Sequence, residues 1–342
     1  MNDSVRMTLD EVHELAFTAC RAHGCSEAQA RAIADSVTLA ERDEARSHGL
    51  FRIPFYVKAI AGSDAVPDAE PEVTELAPSV IRVDGGYGFA PLALQVGAEP
   101  LAERARNQGI AALCLNHVFH ISALWQEVER LAEQGLVAFA YTAAISYVAP
   151  AGGTERLYGT NPMAFAWPRE GQPPLVFDQA SSASARGEIQ LHLRAGKPLP
   201  EGWAVGPDGQ PTTDPATALE GAQLPFGGHK GASIALMIEL LAGALVGDLF
   251  SYEAAAADRN GVGAPLGGEF MIAIDPARCV AGGNRAGQLE HAEQLFARVL
   301  DQEGARLPGQ RRQSARARTR EEGVEVQRTL YDEIRALIDK PG

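Results

Sequence analysis

Along the first forty residues, apolar positions recur three and four apart, the spacing that lines one face of an α-helix. Val12, Leu15, Ala16 and Ala19 follow the capping box Thr8-Leu9-Asp10-Glu11 and stop at Gly24. Ala30, Ile33, Val37 and Ala40 follow a second capped start, Ser26-Glu27-Ala28-Gln29, and lead towards Ser47. A helix carried through from Ser26 would set His48, Arg52 and Tyr56, four apart, along one face. A short helix over 53–61 comes next, broken by Gly62 and a linker with Pro67 and Pro71. The alternation over 79–83 predicts a strand running into a turn at Asp84-Gly85-Gly86, and Pro91 opens a helix that Gly109 closes. Residues 110–115 predict a strand emptying into Asn116-His117-Val118-Phe119-His120. Leu124, Val128 and Leu131 mark a helix over 121–133, and 136–141 a further strand.

A Gly/Pro-rich crossing, 150–162, separates these from strands over 163–167 and 175–178. Residues 197–225 predict a long surface excursion, and Pro225-Phe226-Gly227-Gly228-His229-Lys230-Gly231 leads into the most apolar helix, 232–245, expected to be the most buried. After a loop at 261–268 come a strand over 270–274 and helices over 285–302 and 320–339, joined by an arginine-rich connector. No internal repeat is visible, and no Gly-x-Gly-x-x-Gly stands between a strand and a helix in the way a Rossmann fingerprint requires.

At 342 residues, with 46% hydrophobic and 22% charged, the chain can build two globular domains. A net charge of −14 argues against nucleic acid and anionic lipid as partners and makes any anion site a local basic exception. Cys20, Cys25, Cys114 and Cys279 form no CxxC or paired framework, which fits a reducing cytosol. The leading residues lack the order of a signal peptide, and the apolar run 234–246 is interrupted by Glu239 and too short for a bilayer. A cytoplasmic protein with no membrane role is expected.

Candidate chemistry gathers at Arg46-Ser47-His48-Gly49-Leu50-Phe51-Arg52. An imidazole can exchange a proton near neutral pH and a guanidinium can grip a carboxylate bidentately, which is the equipment for reducing a 2-oxo or 2-imino acid. The same residues also suit an ordinary helix end capped by Ser47 and stopped by Gly49. Three stretches suit phosphates: the helix start His120-Ile121-Ser122-Ala123-Leu124, the helix start at His229-Lys230, and Arg306-Leu307-Pro308-Gly309-Gln310-Arg311-Arg312, extended by Arg316, Arg318 and Arg320. Each also has a plainer use as a solvated helix start or charged linker. His117 and His120 lack companions at ligand spacing, so no metal is expected. Asp178 and Glu188 flank a serine-rich stretch and could supply the carboxylate that orients an imidazole. No Gly-x-Ser-x-Gly elbow supports serine hydrolase chemistry.

Taken in order, Arg46-Ser47-His48-Gly49 with Arg52 and Tyr56, the 120–124 segment, Gly159-Thr160-Asn161-Pro162, Asp178 with Glu188, and the 225–231 segment resemble the type II malate/L-lactate dehydrogenase family. The likeness extends to about residue 320. Within the family, His48-Gly49-Leu50-Phe51-Arg52-Ile53-Pro54, Ala123-Leu124-Trp125 and Arg306-Leu307-Pro308-Gly309 resemble the cyclic ketimine reductases.

The resemblance implies a mixed α/β fold. A non-Rossmann NAD(P)-binding domain on a largely antiparallel sheet (119–284) would be inserted into a helical and mixed domain made from both chain ends (1–118 and 285–342), with a homodimer placing the active site between domains. It implies a relay of Ser47, His48 and Glu188, the last replacing the aspartate usual in the most similar members. Arg52, Tyr56 and Thr160 would bind substrate. His120, Ile121, Ser122, Ala123, Leu124, Asp178, Gln179, Ala180, Arg186, His229, Lys230 and residues 306–312 would bind the cofactor. NADPH is expected over NADH because Arg186 and the 306–312 arginines offer cations for a 2′-phosphate. The expected activity is reduction of Δ1-pyrroline-2-carboxylate and Δ1-piperideine-2-carboxylate to L-proline and L-pipecolate. The alternative is a 2-hydroxy-acid dehydrogenase of the same family.

Overall fold

The computed structural model describes residues 3–62 and 65–340; positions 63 and 64 of the expected linker, and residues 1 and 2 of the leading segment, lie outside the described residues. In chain order the elements begin with β1 (Ser4–Met7), α1 (Leu9–Ala22), α2 (Glu27–Arg42), two 3-10 turns (Arg46–His48 and Leu50–Arg52) and α3 (Ile53–Ala61). Next come β2 (Glu72–Ala77), β3 (Val80–Phe89), α4 (Ala90–Gln108), β4 (Ile110–Phe119), α5 (Trp125–Glu133), β5 (Val137–Thr142), β6 (Pro162–Trp167) and β7 (Leu175–Ala180). Then follow α6 (Arg186–Ala195), β8 (Ala204–Val205), β9 (Pro211–Thr212), α7 (Pro215–Glu220), β10 (Ala222–Gln223), α8 (His229–Glu239), a π-helical turn (Leu240–Leu245) and α9 (Ser251–Ala257). β11 (Leu266–Ile274), α10 (Arg285–Leu300), α11 (Gln310–Glu322), β12 (Val324–Gln327) and α12 (Arg328–Asp339) complete the chain. The fold is mixed α/β.

Two compact units are distinguished, one formed by residues 1–140, 164–177 and 271–342 and the other by 141–163 and 178–270. In the first, strands run in the order β2-β3-β4-β11-β5-β6-β7, with β2 antiparallel and β4 parallel to β3. The boundaries between the two units fall within β5, β6, β7 and β11. Its core joins Ile81, Val83, Leu113 and Leu115 of β3 and β4 to Leu101 of α4 and to Val128 and Leu131 of α5. Gly97 lets α4 lie on that sheet, because a Cβ there would meet the Leu113 and Val83 side chains. The second unit carries the small sheet β10-β8-β9 over a core of Ile189, Leu199, Ala204 and Ala218.

Both predicted capped starts are present. The Thr8 side chain accepts from Glu11 N–H while Glu11 accepts from Thr8 N–H, and Ser26 accepts from Gln29 N–H. Several expectations are corrected. The second helix ends at Arg42, where Asp43 caps it and Glu44 turns the chain with φ +55, so His48, Arg52 and Tyr56 do not share a helix face. The expected turn at Asp84-Gly85-Gly86 does not end the strand: β3 continues to Phe89 through a register shift, because Asp84 accepts from Gly86 N–H inside the strand and Tyr87 takes φ +64. Residues 121–124 precede α5 rather than forming its first turn. The excursion 197–225 contains α7 and three short strands, and α6, α9, β1 and β2 had no predicted counterpart. The arginine-rich connector is mostly α11, and the expected helix 320–339 is split by β12, which pairs with β1.

Candidate active site

The first unit brings Ser47, His48 and Arg52 together on the two 3-10 turns between α2 and α3. Ser47 Oγ lies 3.0 Å from His48 Nδ1 although the residues are adjacent, and Arg52 Nε donates to the Ser47 carbonyl at 2.6 Å. The Arg52 guanidinium also sits over the Phe55 and Phe51 rings, 5.3 and 5.8 Å from their centroids. Two aromatic faces and one carbonyl thus fix the direction of a half-buried charge. Tyr56 is 1% exposed and meets Phe89 edge-on, and burial first of all raises the pKa of its hydroxyl.

His48 departs from what its residue type suggests. Burial, then the charges of Arg52 and His120, lower its pKa from 6.5 to about 3. These effects favour the neutral form of the imidazole. Since the folded value lies below the unfolded one, the unfolded chain binds the extra proton between the two, and stability is lost as pH falls from about 6.5 towards 3. His48→Gln should flatten that part of the stability curve; urea unfolding of both proteins at several pH values tests this, and parallel curves would contradict it.

Past β4, His120 Nε2 stands 3.5 Å from Glu127 Oε1, both side chains being nearly buried. His117, expected to be free of metal companions, shares its Nδ1 with the Asp84 carboxylate at 3.0 Å. The 306–312 segment lies at the start of α11. Gly309, with φ +84, brings its Cα against the Val176 carbonyl, a spot that a Cβ would fill. The Arg312 guanidinium donates to that carbonyl at 2.9 Å and stacks over Trp125 at 4.8 Å, so the residue after Leu124 is tied directly to this segment. Leu307 is buried, its N–H donating to Gln310 Oε1, whereas Arg306 and Arg311 face outward.

The extension of the basic run to Arg316 and Arg318 is corrected. Arg316 donates to Asp43 at 2.7 and 2.6 Å and to Glu129 at 2.7 Å; burial opposes its charge, but these bonds outweigh it and raise the pKa. Arg318 is bidentate to Glu44. Both fasten α11 to the end of α2 and are committed to carboxylates of the fold. Arg316→Met would leave the fully buried Asp43 carboxylate with Arg42 alone and should cost about 3 kcal/mol of stability, as for other broken buried pairs. Denaturant unfolding measures it, and a change below about 0.5 kcal/mol, the usual scale of surface substitutions, would refute the claim.

The second unit ties together other expected residues. The Thr160 carbonyl accepts from Ser181 N–H at 2.9 Å and from Ser181 Oγ at 3.0 Å, and the Ser181 carbonyl accepts from Phe226 N–H at 3.0 Å. Gly231 packs so tightly on Phe226 and the Ser181 carbonyl that a Cβ would overlap them. Thr160, the end of the Asp178-Gln179-Ala180 strand and the α8 start at His229-Lys230 therefore belong to one braced structure. Both side chains at that start are exposed beside Gly227 and Gly228, which are left-handed. Arg186 stacks 3.7 Å over Tyr147, and burial lowers its pKa. Glu188, in the first turn of α6, has His192 3.8 Å away.

Beneath Thr160 lies a polar network that sequence reasoning missed. Asn161, fully buried with φ +34, donates to Glu239 Oε1 at 2.7 Å and to the Ala235 carbonyl at 3.2 Å. Its Oδ1 accepts from Ala144 N–H and Ser251 Oγ, while Glu239 Oε2 accepts from Ser251 N–H at 2.9 Å. The available signal was a lone carboxylate inside the apolar run 234–246, since a buried charge needs several donors. Within the second unit the glycine-lined α8 start could receive a phosphate, and within the first Arg306 and Arg311 are outward-facing cations that could do so.

A family model described as malate/L-lactate dehydrogenase matches residues 7–335. A Δ1-pyrroline-2-carboxylate/Δ1-piperideine-2-carboxylate reductase of Pseudomonas aeruginosa is 51% identical over 98% of this chain and 100% of its own. A Δ1-pyrroline-2-carboxylate reductase of Pseudomonas fluorescens is 51% identical over 99% of this chain and 100% of its own. The crystal structure of Δ1-piperideine-2-carboxylate reductase from Pseudomonas syringae pathovar tomato matches with a TM-score of 0.91 at 38% identity, covering 97% of this chain and 99% of that one.

Proposed function

Given that the chain belongs to the malate/L-lactate dehydrogenase family, we propose that it reduces cyclic ketimine 2-carboxylates, converting Δ1-pyrroline-2-carboxylate and Δ1-piperideine-2-carboxylate to L-proline and L-pipecolate. The observation that carries this choice within the family is the full-length similarity, at 51% identity, to reductases of these cyclic ketimines. A cyclic imine can arrive already protonated at nitrogen, so an enzyme reducing it needs no acid of its own before hydride transfer. A 2-oxo acid develops an alkoxide that must be protonated as it forms, and His48 would then have to supply that proton.

When bound, the reduced nicotinamide supplies the hydride to C2 of the C=N bond. Arg52 holds the substrate carboxylate with Thr160 assisting, which cancels part of the Arg52 charge acting on His48. Neutral His48 accepts a hydrogen bond from the iminium N–H, and Ser47 fixes its ring through Nδ1. After reduction the ring nitrogen is an amine, and the proton that completes the ammonium product reaches it from solvent through His48 and Ser47. Glu188 is assigned the acidic place in this relay and Tyr56 a place in the substrate pocket. His120, Ile121, Ser122, Ala123, Leu124, Asp178, Gln179, Ala180, Arg186, His229, Lys230 and residues 306–312 are assigned to the cofactor, on a largely antiparallel, non-Rossmann framework.

NADPH is preferred over NADH in this proposal because Arg306 and Arg311 remain outward-facing after Arg316 and Arg318 are paired. Initial rates with both cofactors against Δ1-pyrroline-2-carboxylate, Δ1-piperideine-2-carboxylate, pyruvate and oxaloacetate provide the test. Higher kcat/KM for either oxo acid would overturn the substrate assignment, and parity between the cofactors would overturn the preference for NADPH.

The proposal includes a homodimer. Contrary to its expected burial, the helix beginning at α8 exposes Leu236, Met237, Leu240 and Leu245 at 37–58%. Leu236 and Leu240 are four apart on this helix, and exposed apolar side chains one turn apart are characteristic of subunit contacts. Leu236→Asp with Leu240→Asp should shift light-scattering mass to that of the monomer; an unchanged mass would remove this face from the interface. A cytoplasmic location is also proposed, supported by the four unbridged cysteines, of which Cys20, Cys25 and Cys114 are buried. No helix of the described residues is long and apolar enough to cross a membrane.

A further inference from the structure

Glu41 is 5% exposed on the last turn of α2 and has no part in the chemistry described above. Its Oε1 accepts from Leu50 N–H at 2.8 Å, capping the second 3-10 turn. The Gly49 Cα lies against the same side chain, and a Cβ at that position would overlap the Glu41 carboxylate and its Cγ. Burial raises the Glu41 pKa, while the Leu50 bond and the charge of Arg46 act in the opposite sense. Placing a carboxylate here is costly, and an apolar side chain could fill the space, but it could not accept the Leu50 N–H.

What Glu41 touches stands next to both expected reacting groups. His48 is joined covalently to Gly49, and its own N–H donates to the Ala45 carbonyl at 2.8 Å. Arg52 N–H donates to the Gly49 carbonyl at 2.9 Å, so the backbone of the carboxylate clamp hangs from the glycine that packs on Glu41. The loop has turned back at Glu44, and Ala45 N–H donates to the Ala40 carbonyl at 2.8 Å, which returns residues 49 and 50 to α2. We infer that Glu41 is a positioning residue that sets the placement of His48 and Arg52 through Gly49 and Leu50. The inference rests on the assignment of His48 and Arg52 to the reduction proposed above. On this account Gly49 is required because Glu41 occupies the space that its side chain would need.

The full-length wild type, Glu41→Ala, Glu41→Gln, Gly49→Ala and the double variant Glu41→Ala/Gly49→Ala provide the test. Glu41→Ala should lower kcat/KM for the cyclic ketimine about 100-fold, mainly in kcat, the size of loss that a misplacement near 1 Å produces. Its affinity for NADPH in the absence of substrate should stay within about twofold, a shift under about 0.4 kcal/mol. Glu41→Gln keeps an acceptor oxygen and should recover most of the rate. Gly49→Ala should resemble Glu41→Ala, and the double variant should be no worse than either, because deleting the side chain beyond Cβ removes the overlap. Amide exchange at Leu50 should be fast in Glu41→Ala and slow in Glu41→Gln. Unchanged kcat/KM in Glu41→Ala, a Glu41→Gln variant as impaired as Glu41→Ala, additive losses in the double variant, or unchanged Leu50 exchange would each overturn the inference. A wild type that turns over no cyclic ketimine would remove the proposed reaction, and the Leu50 exchange rates would still decide whether Glu41 anchors the loop.

Discussion

Arg52→Ala should reduce kcat/KM for a cyclic ketimine carboxylate by at least about two orders of magnitude, or about 3 kcal/mol of transition-state stabilisation. The guanidinium is directed by the Ser47 carbonyl and by the Phe51 and Phe55 rings, so its position does not depend on ligand. Alanine would leave the substrate carboxylate desolvated without a counter-charge, and the loss should fall largely on KM because the carboxylate is held in ground and transition states alike. Arg52→Lys should recover only part, since an ammonium keeps the charge but lacks the planar two-pronged donor and stacks less well on the rings. The charge of Arg52 also contributes to the low pKa of His48, so Arg52→Ala should move the acid limb of the pH profile upward; burial, the larger cause, should keep it below 6.5. Equal kcat/KM in wild type and Arg52→Ala would remove Arg52 from the substrate site.

His48→Ala should lower kcat by about 100-fold to 10,000-fold, the range found for positioned acid–base groups. The dependence of that deficit on pH is more diagnostic than its size. If neutral His48 receives the N–H of a protonated imine, the deficit should widen on the alkaline side, where free substrate loses its own proton and the enzyme must favour the protonated form. If His48 were instead the acid for an oxo acid, activity would be confined to pH values near or below its pKa, and the rate would rise steeply towards acid. Steady-state profiles with a cyclic imine and with pyruvate separate these outcomes. A deficit independent of pH, or full activity in His48→Ala, would contradict the assigned role.

Much of the candidate site's local geometry was legible because the residues proposed for it are packed into short segments. Ser47, His48 and Arg52 lie within six residues, and their mutual hydrogen bonds form inside two tight turns, so spacing alone brought them into reach. Arg306-Leu307-Pro308-Gly309 and the segment before Trp125 were also recognisable, and the contact of Arg312 with both Trp125 and Val176 joins stretches that the sequence showed only as separate anion-compatible motifs. Glu41 and Glu239 were legible in principle. Glu41 falls four residues after Val37 and eight after Ile33, on the buried face, and Glu239 sits within an apolar helix. A carboxylate in phase with core residues signals a specific set of donors, but spacing cannot identify which N–H groups supply them.

By itself the sequence determined the capped starts of α1 and α2, the glycine-stopped end of α4 and the chemical identity of the His48 segment. All depend on interactions spanning one or two turns, for which the order of residues is already the geometry. Only the tertiary structure decided that α2 stops before Ser47, that Arg316 and Arg318 serve Asp43, Glu129 and Glu44 instead of a phosphate, that β1 pairs with β12 across nearly the whole chain, and that the helix after Gly231 exposes Leu236 and Leu240. The physical reason is common to these cases. The energy of a charge, a strand edge or an apolar side chain depends on the groups that distant parts of the chain bring against it, and one-dimensional spacing does not encode those partners.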